Sequence, residues 1–298
     1  MVPPVFGNPF TLTKHRVMRA TIGLLFAGSV LLTSGCGELV NGANLKPTVK
    51  YKPSTVGGDA AESTSPAAVE ATDTASSEGV GTLRGKVEFA GPFTPLPPLY
   101  LKGSDVKDKD VCAAVEAPNE TILVKDGGLA NVFIYLRKAP KGSSPAPEAS
   151  LIFDQKSCVF KPHAMIARVG QTVKILNSDA VAHNTHTYGK KTVQFNSVVG
   201  ENNAVGVPMD YKQAEQEPIK VGCDIHPWMN AYHLPIDHPY AVVSGEDGTF
   251  EIKDLPAGKH EFKVWHEAGG LLEKALLVTI KPGDNELTIK VTPSQLGK

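Results

Sequence analysis

The sequence predicts an all-β protein of two sandwiches behind a disordered leader, and three observations lead there. Glycine and proline supply 28 and 23 of the 298 residues, more than ordinary usage, as many short strands joined by turns require. Apolar and polar residues alternate in short runs bounded by turn formers. No stretch sustains the 3.6-residue period of an amphipathic helix. With 41% hydrophobic and 20% charged residues, the chain reads as globular, at this length in two domains. That composition excludes coiled coils and histone-like binders.

The leader comes first. Lys14, His15, Arg16 and Arg19 precede an apolar run, Ala20 to Leu32, too short to span a bilayer but suited to the core of an export signal. Residues 1–35 are therefore expected to be a signal peptide and the protein to be exported. The run ends in Leu31-Leu32-Thr33-Ser34-Gly35-Cys36, which resembles a bacterial lipobox. That resemblance implies lipidation at Cys36 and a lipid anchor in a membrane of the periplasm or cell envelope. Thr33 stands where the lipobox has an aliphatic residue, so an ordinary cleaved signal is the alternative. Residues 36–80 are read as a tether: Ala60 to Ser77 is nearly all Ala, Ser, Thr, Glu and Pro, and cannot bury enough apolar surface to offset the entropy of ordering it. A flexible coil of this length spans roughly 35–40 Å.

Charge narrows the partners. The chain has 30 basic and 31 acidic residues, and 24 against 25 over residues 82–298. Nucleic acid is not expected as a partner, and neither is strong electrostatic steering.

Six period-two runs mark strands over the remainder: Thr82 to Ala90, Asn131 to Leu136, Thr172 to Leu176, Thr249 to Ile252, Ala275 to Ile280 and Leu287 to Val291. In the last two, Leu276, Val278 and Ile280 are expected to pair across the turn Pro282-Gly283-Asp284-Asn285 with Leu287, Ile289 and Val291 as a β-hairpin. The segment from Tyr240 through Asp247-Gly-Thr-Phe250 and Leu255-Pro-Ala-Gly to Phe262 resembles the carboxypeptidase regulatory-like, transthyretin-type β-sandwich. The resemblance implies a partner strand upstream, and Gly81 to Phe89 and Asn131 to Leu136 supply the candidates. The economical reading is a discontinuous sandwich of residues 81–147 and 237–298, interrupted by a domain over 148–236. Two domains in series is the alternative.

The chemistry concentrates in the insert. Asn177-Ser-Asp179-Ala-Val-Ala-His183-Asn184 is followed by Cys223-Asp-Ile-His226-Pro-Trp-Met229. Copper cycling between Cu(I) and Cu(II) needs ligands acceptable to both states, and a thiolate, two imidazoles and a weak axial thioether form such a set. Cys223, His226 and Met229 lie on one short loop, and His183 can close the site from a neighbouring strand. The order His, Cys, His, Met, the short loop, and Val169-Gly-Gln-Thr-Val upstream of Asn177-Ser-Asp179 together resemble a cupredoxin, with a loop length similar to amicyanin. That resemblance implies a Greek-key sandwich and one type 1 copper held by His183, Cys223, His226 and axial Met229. It also implies a hydrogen bond from the Asn184 amide to the Cys223 sulfur. Structural packing of these residues, or a zinc site, is the alternative.

Cysteine number agrees with this. With Cys36 on lipid and Cys223 on metal, Cys112 and Cys158 remain to form a disulfide in an oxidising compartment; two free thiols is the alternative. His186 is expected at the surface, and His163, His233, His238 and His266 are expected to be structural. No motif of a nucleotide-binding loop, hydrolase elbow, zinc protease or covalent haem occurs, so the chain is not expected to be an enzyme. The leading expectation is a one-electron carrier that meets redox partner proteins of the cell envelope at the His226 edge, rimmed by Pro227, Trp228 and Pro235. A copper-binding or delivery protein, or a structural sandwich without redox role, are the other readings.

Overall fold

The computed structural model describes residues 79–138, 140 and 144–298. The expected signal peptide, Cys36 and all but the end of the expected tether lie outside the described residues, and Val80 already belongs to the first strand. The chain is all-β, built as two sandwiches.

In the first sandwich, Val80–Phe89 is the central strand of one sheet. It pairs antiparallel with Thr249–Pro256 and parallel with Gly283–Val291, and reaches Gly128–Leu129 through Glu88↔Gly128. The facing sheet runs in the order Ala241–Val243, Phe133–Leu136, Gly258–His266, Gly270–Ile280. Period-two alternation sends Leu83, Val87 and Phe89 inward to meet Ile134, Leu136, Phe262 and Val264. The turn at Asp247-Gly248 lies against Gly128 so closely that a Cβ there would sit 1.7 Å from the Asp247 carbonyl oxygen; only glycine fits.

The expected C-terminal hairpin does not form. Gly283 does turn the chain, with φ 87°, and the Asn285 side chain closes the turn onto the Lys281 backbone. The two arms then join different sheets. Gly270–Ile280 pairs with Gly258–His266, and Gly283–Val291 runs beside Val80–Phe89 from Gly81↔Gly283 to Phe89↔Val291. Alternation dictates which side chains face the core, and both arrangements satisfy it; the choice of partner is a long-range matter.

The second sandwich has one sheet in the order Asn196–Val199, His183–Thr187, Ile219–Gly222, Asn230–Ile236, Ala164–Arg168. The other runs Asn203–Asp210, Thr172–Asn177, Leu151–Lys156, Val159–Lys161. Phe153 stacks on Phe160 at 4.9 Å in a core shared with Val173, Ile175, Val221 and Ala231. The chain departs for this sandwich after Phe133–Leu136 and returns at Ala241–Val243. Those strands pair with each other, Tyr135↔Ala241 and Phe133↔Val243.

One part of residues 81–147 belongs elsewhere. Tyr100, Cys112, Ala113 and Ala117 pack into the core of the second sandwich, and Cys112 is disulfide-bonded to Cys158. The segment from Tyr100 to Ala117, closed by the bridge Tyr100↔Ala117 and holding the short helix Lys109–Cys112, thus forms a strap over one end of that sandwich. The boundary drawn at 147 misses it, because the segment is too short and polar to show periodicity.

The sandwiches meet in a third cluster. Phe133, Tyr135 and Trp265 from the first pack against Leu234 and Ile236 of the second. Phe133–Leu136 is consequently buried on both faces.

Candidate metal centre

Three of the four candidate ligands stand at strand ends, and His226 lies on the loop between two of them. His183 opens His183–Thr187, Cys223 follows Ile219–Gly222, and Met229 precedes Asn230–Ile236. Val221↔Thr187 and Gly222↔His186 pairing sets the two strand ends side by side, and Gly222↔Asn230 closes the loop that carries Cys223, His226 and Met229. Within that loop the Met229 amide donates to the His226 carbonyl at 2.9 Å and the Cys223 amide to the Met229 carbonyl at 3.3 Å. Asn184 braces it from outside: its Oδ1 accepts the amides of Asp224 at 2.7 Å and Ile225 at 3.3 Å.

Three donors converge. The ligand atoms of His183, Cys223 and His226 all lie within 4.8 Å of one another, and all three residues are buried. The two imidazoles turn their Nδ1 atoms toward each other at 2.9 Å. Each outer nitrogen is taken by a carboxylate: His183 Nε2 lies 3.0 Å from Asp179 Oδ2, and His226 Nε2 lies 2.9 Å from Asp108 Oδ2. This orientation turns both Nδ1 atoms inward, toward the sulfur. The amides of Asn184 and His226 donate to Cys223 Sγ at 3.5 and 3.4 Å. Met229 is buried in the same core. Cys158, Asp179 and His183 also lie close together, but Cys158 is committed to its disulfide.

Electrostatics prepares the sulfur. Burial pushes the Cys223 thiol up, but hydrogen bonds from His183, His226 and the two amides outweigh it and bring the thiol down to about 6. Burial pulls His183 down, while Asp179 and Cys223 raise it to about 9. Asp179 is itself held low despite burial by His183 and by the amides of Cys158 and Ser157, which donate to it at 2.8 and 2.6 Å. Thiolate and imidazolium stabilise each other here, as nucleophilic or metal-binding cysteines require. Two imidazoles and a thiolate fit a borderline-to-soft metal such as copper or zinc.

The expected docking rim needs correction. His226 is fully buried, so its edge does not open to solvent. Pro227 is exposed, but Trp228 is half-buried, edge-on to Tyr100 at 5.2 Å, and its Nε1 donates to the Cys158 carbonyl at 3.1 Å. Pro235 is buried within its strand. The strap occupies the space that an apolar rim was expected to leave open.

Other histidines among the described residues have partners of their own. His186 is half-buried, reaches Asp224 at 3.1 Å and stacks on Tyr188. His163 binds Glu267, His233 meets the Tyr211 hydroxyl at 2.7 Å, His238 Nε2 lies 3.2 Å from the Leu136 carbonyl, and His266 Nδ1 accepts the Ala268 amide at 3.3 Å. Sequence reasoning missed the roles of two acids. Asp179 was visible inside the Asn177-Ser-Asp179 motif, four residues before His183. Asp108 carried no signal, since it lies 118 residues from His226.

No family model and no curated protein sequence matches the chain. Among solved structures it is similar, over part of its length, to a Cu-containing nitrite reductase from Thermus scotoductus SA-01, at 15% identity and a TM-score of 0.28, covering 33% of this chain and 25% of that one. A purple cupredoxin from Nitrosopumilus maritimus is similar at 18% identity and a TM-score of 0.24, covering 28% of this chain and 98% of that one. A reduced amicyanin variant is similar at 16% identity and a TM-score of 0.26, covering 32% and 94%. The chain thus spans a quarter of the nitrite reductase and nearly all of the two small copper proteins.

Proposed function

We propose that this protein is an exported, membrane-anchored copper protein that carries single electrons. His183 and His226 would hold one type 1 copper through Nδ1 and Cys223 through Sγ, and Met229 would add a weak thioether ligand. Residues 148–236 would form the copper domain, inserted into a regulatory-like sandwich of residues 81–147 and 237–298. Lipid on Cys36 and the tether over 36–80 would hold both at an envelope membrane, where the protein would pass single electrons between partner proteins rather than act as an enzyme.

The observation that carries this reading is the convergence of His183, Cys223 and His226 within 4.8 Å. The opposite nitrogens of both imidazoles are already occupied by carboxylates. Such preorientation suits a metal whose two oxidation states must share one geometry, because little rearrangement then accompanies each electron. Zinc would be served as well by a site without a thioether.

The test is spectroscopic. Purified protein loaded with one equivalent of Cu(II) is expected to show an intense thiolate-to-copper charge-transfer band and a type 1 EPR signal, both lost in Cys223→Ser. A weak band with ordinary type 2 EPR would instead indicate copper handling.

A further inference from the structure

We infer that Asp108 is a positioning residue for His226, holding its ring from outside and closing the edge through which a redox partner would otherwise make direct contact with the ring. The inference rests on the copper reading above, and it assigns to the strap a role in tuning and covering the site.

The placement of Asp108 is the first argument. It precedes the helix Lys109–Cys112 and occupies the N-cap position, where an aspartate ordinarily turns its carboxylate onto the helix amides. Here it makes no side-chain cap. The backbone is left-handed instead, φ 52° and ψ 39°, a conformation that aspartate tolerates better than most residues. The carboxylate points away from its own helix and meets His226 Nε2 at 2.9 Å. A local hydrogen bond is thus given up for one to a histidine 118 residues away.

The anchoring of the strap is the second. Cys112 is bonded to Cys158, the Tyr100 hydroxyl donates to the Cys112 carbonyl at 3.1 Å, and Trp228 of the ligand loop donates to the Cys158 carbonyl. The Cys158 amide in turn binds Asp179, which holds His183. One disulfide therefore fixes the frame of both carboxylate–imidazole pairs. His226 is fully buried while the Asp108 side chain keeps 37% exposure, so Asp108 stands between the ring and water.

The chemistry follows. A carboxylate that accepts Nε2–H fixes the tautomer and leaves the Nδ1 lone pair for the metal. Its negative charge favours Cu(II) over Cu(I), and its bulk keeps a partner from direct contact with the ring.

Two variants separate these effects in the full-length, detergent-solubilised, copper-loaded protein. Asp108→Gly suits the left-handed backbone and removes the side chain; Asp108→Asn keeps a neutral acceptor over the ring. Asp108→Gly is expected to raise the Cu(I)/Cu(II) affinity ratio about tenfold, the usual scale for an outer partner of a metal ligand, which raises the reduction potential by about 59 mV. It is also expected to speed electron self-exchange about tenfold or more, as opening the ring edge shortens the contact. Asp108→Asn is expected to raise the potential in the same direction and leave self-exchange within about twofold, because the amide still covers the ring. Unchanged potential and self-exchange in Asp108→Gly, with the charge-transfer band intact, would overturn the inference and leave the copper reading standing. Absence of that band in the unmodified protein would instead remove the copper reading. The contact itself is read in metal-free protein by nitrogen NMR of the His226 ring, where the proton on Nε2 is expected to lose its fixed position in Asp108→Gly. A ring spectrum identical in both proteins sinks the positioning role whether or not copper binds.

Discussion

At Cys223 two large effects oppose each other, and the local hydrogen bonds win. The thiol falls to about 6, so in metal-free protein its ultraviolet thiolate absorbance is expected to titrate near that pH. The sign follows from linkage. Between about pH 6 and the ordinary thiol value of 9.0, the folded state binds fewer protons at this group than the unfolded chain does. Its contribution to stability is thus complete above the unfolded value and is lost as pH falls through the folded one. Asp179→Ala removes the acid that keeps His183 charged, and the thiolate midpoint is expected to rise toward 9.0. It also strips acceptors from the amides of Ser157 and Cys158, at a cost on the order of 1–3 kcal/mol for each buried group left unsatisfied. An unmoved midpoint would mean that Asp179 braces the loop without reaching the sulfur. The convergence of His183, Cys223 and His226 was legible because Cys223 and His226 share one short loop and His183 precedes it in the motif Asn177-Ser-Asp179 to His183. Asp108 was invisible because a single acid in a polar segment has no pattern to stand out from.

Elements were legible in proportion to how local their determinants are. Thr172 to Ile175 and Thr249 to Ile252 alternate strictly, and the runs Thr172 to Leu176 and Thr249 to Ile252 fall within the strands Thr172–Asn177 and Thr249–Pro256. Phe133–Leu136 was found although it departs from half-burial: Ile134 and Leu136 enter one core, and Phe133 and Tyr135 the cluster between sandwiches. Partner choice escaped at Gly283–Val291, where the same alternation serves a hairpin or a parallel pairing with Val80–Phe89. The strap escaped as an element, although the Cys112–Cys158 bond that holds it was expected. Its attachment depends on Cys112–Cys158, which closes a loop across a sequence separation of 46 residues. Loop-closure entropy assigns such a bond about 4 kcal/mol. The double variant Cys112→Ser/Cys158→Ser is expected to lower the urea midpoint accordingly, with fluorescence of Trp228 shifting to the red as Tyr100 and the Cys158 carbonyl release it. Lost stability with unchanged Trp228 emission would show that Tyr100 alone seats the strap.

At the scale of the molecule the question is whether two sandwiches behave as one body. Covalent connection runs four times between them, into and out of the strap Tyr100–Ala117 and into and out of the inserted strands, and the departing and returning strands, Phe133–Leu136 and Ala241–Val243, are hydrogen-bonded neighbours. Phe133, Tyr135 and Trp265 add apolar contact with Leu234 and Ile236. The Tyr135 hydroxyl and the Lys263 ammonium both donate to the Gln216 carbonyl at 3.0 Å. Burial of this kind, at tens of cal/mol per Å² of apolar surface, couples unfolding when it is comparable to the stability of either part. The two tryptophans report on the two sides: Trp228 lies on the ligand loop and Trp265 on Gly258–His266 of the first sandwich. Trp228→Phe leaves Trp265 as the sole indole, and Trp265→Phe leaves Trp228. After correction for the small stability change of each substitution by circular dichroism of the same sample, both fluorescence transitions are expected to coincide with the loss of β signal. Adding copper is expected to move the Trp265 transition upward together with the Trp228 transition, since a ligand bound only by the folded state stabilises every part that unfolds with it. A copper-dependent shift confined to Trp228 would mean that the inserted sandwich unfolds alone, and that the Phe133–Trp265 contact joins the two without coupling them.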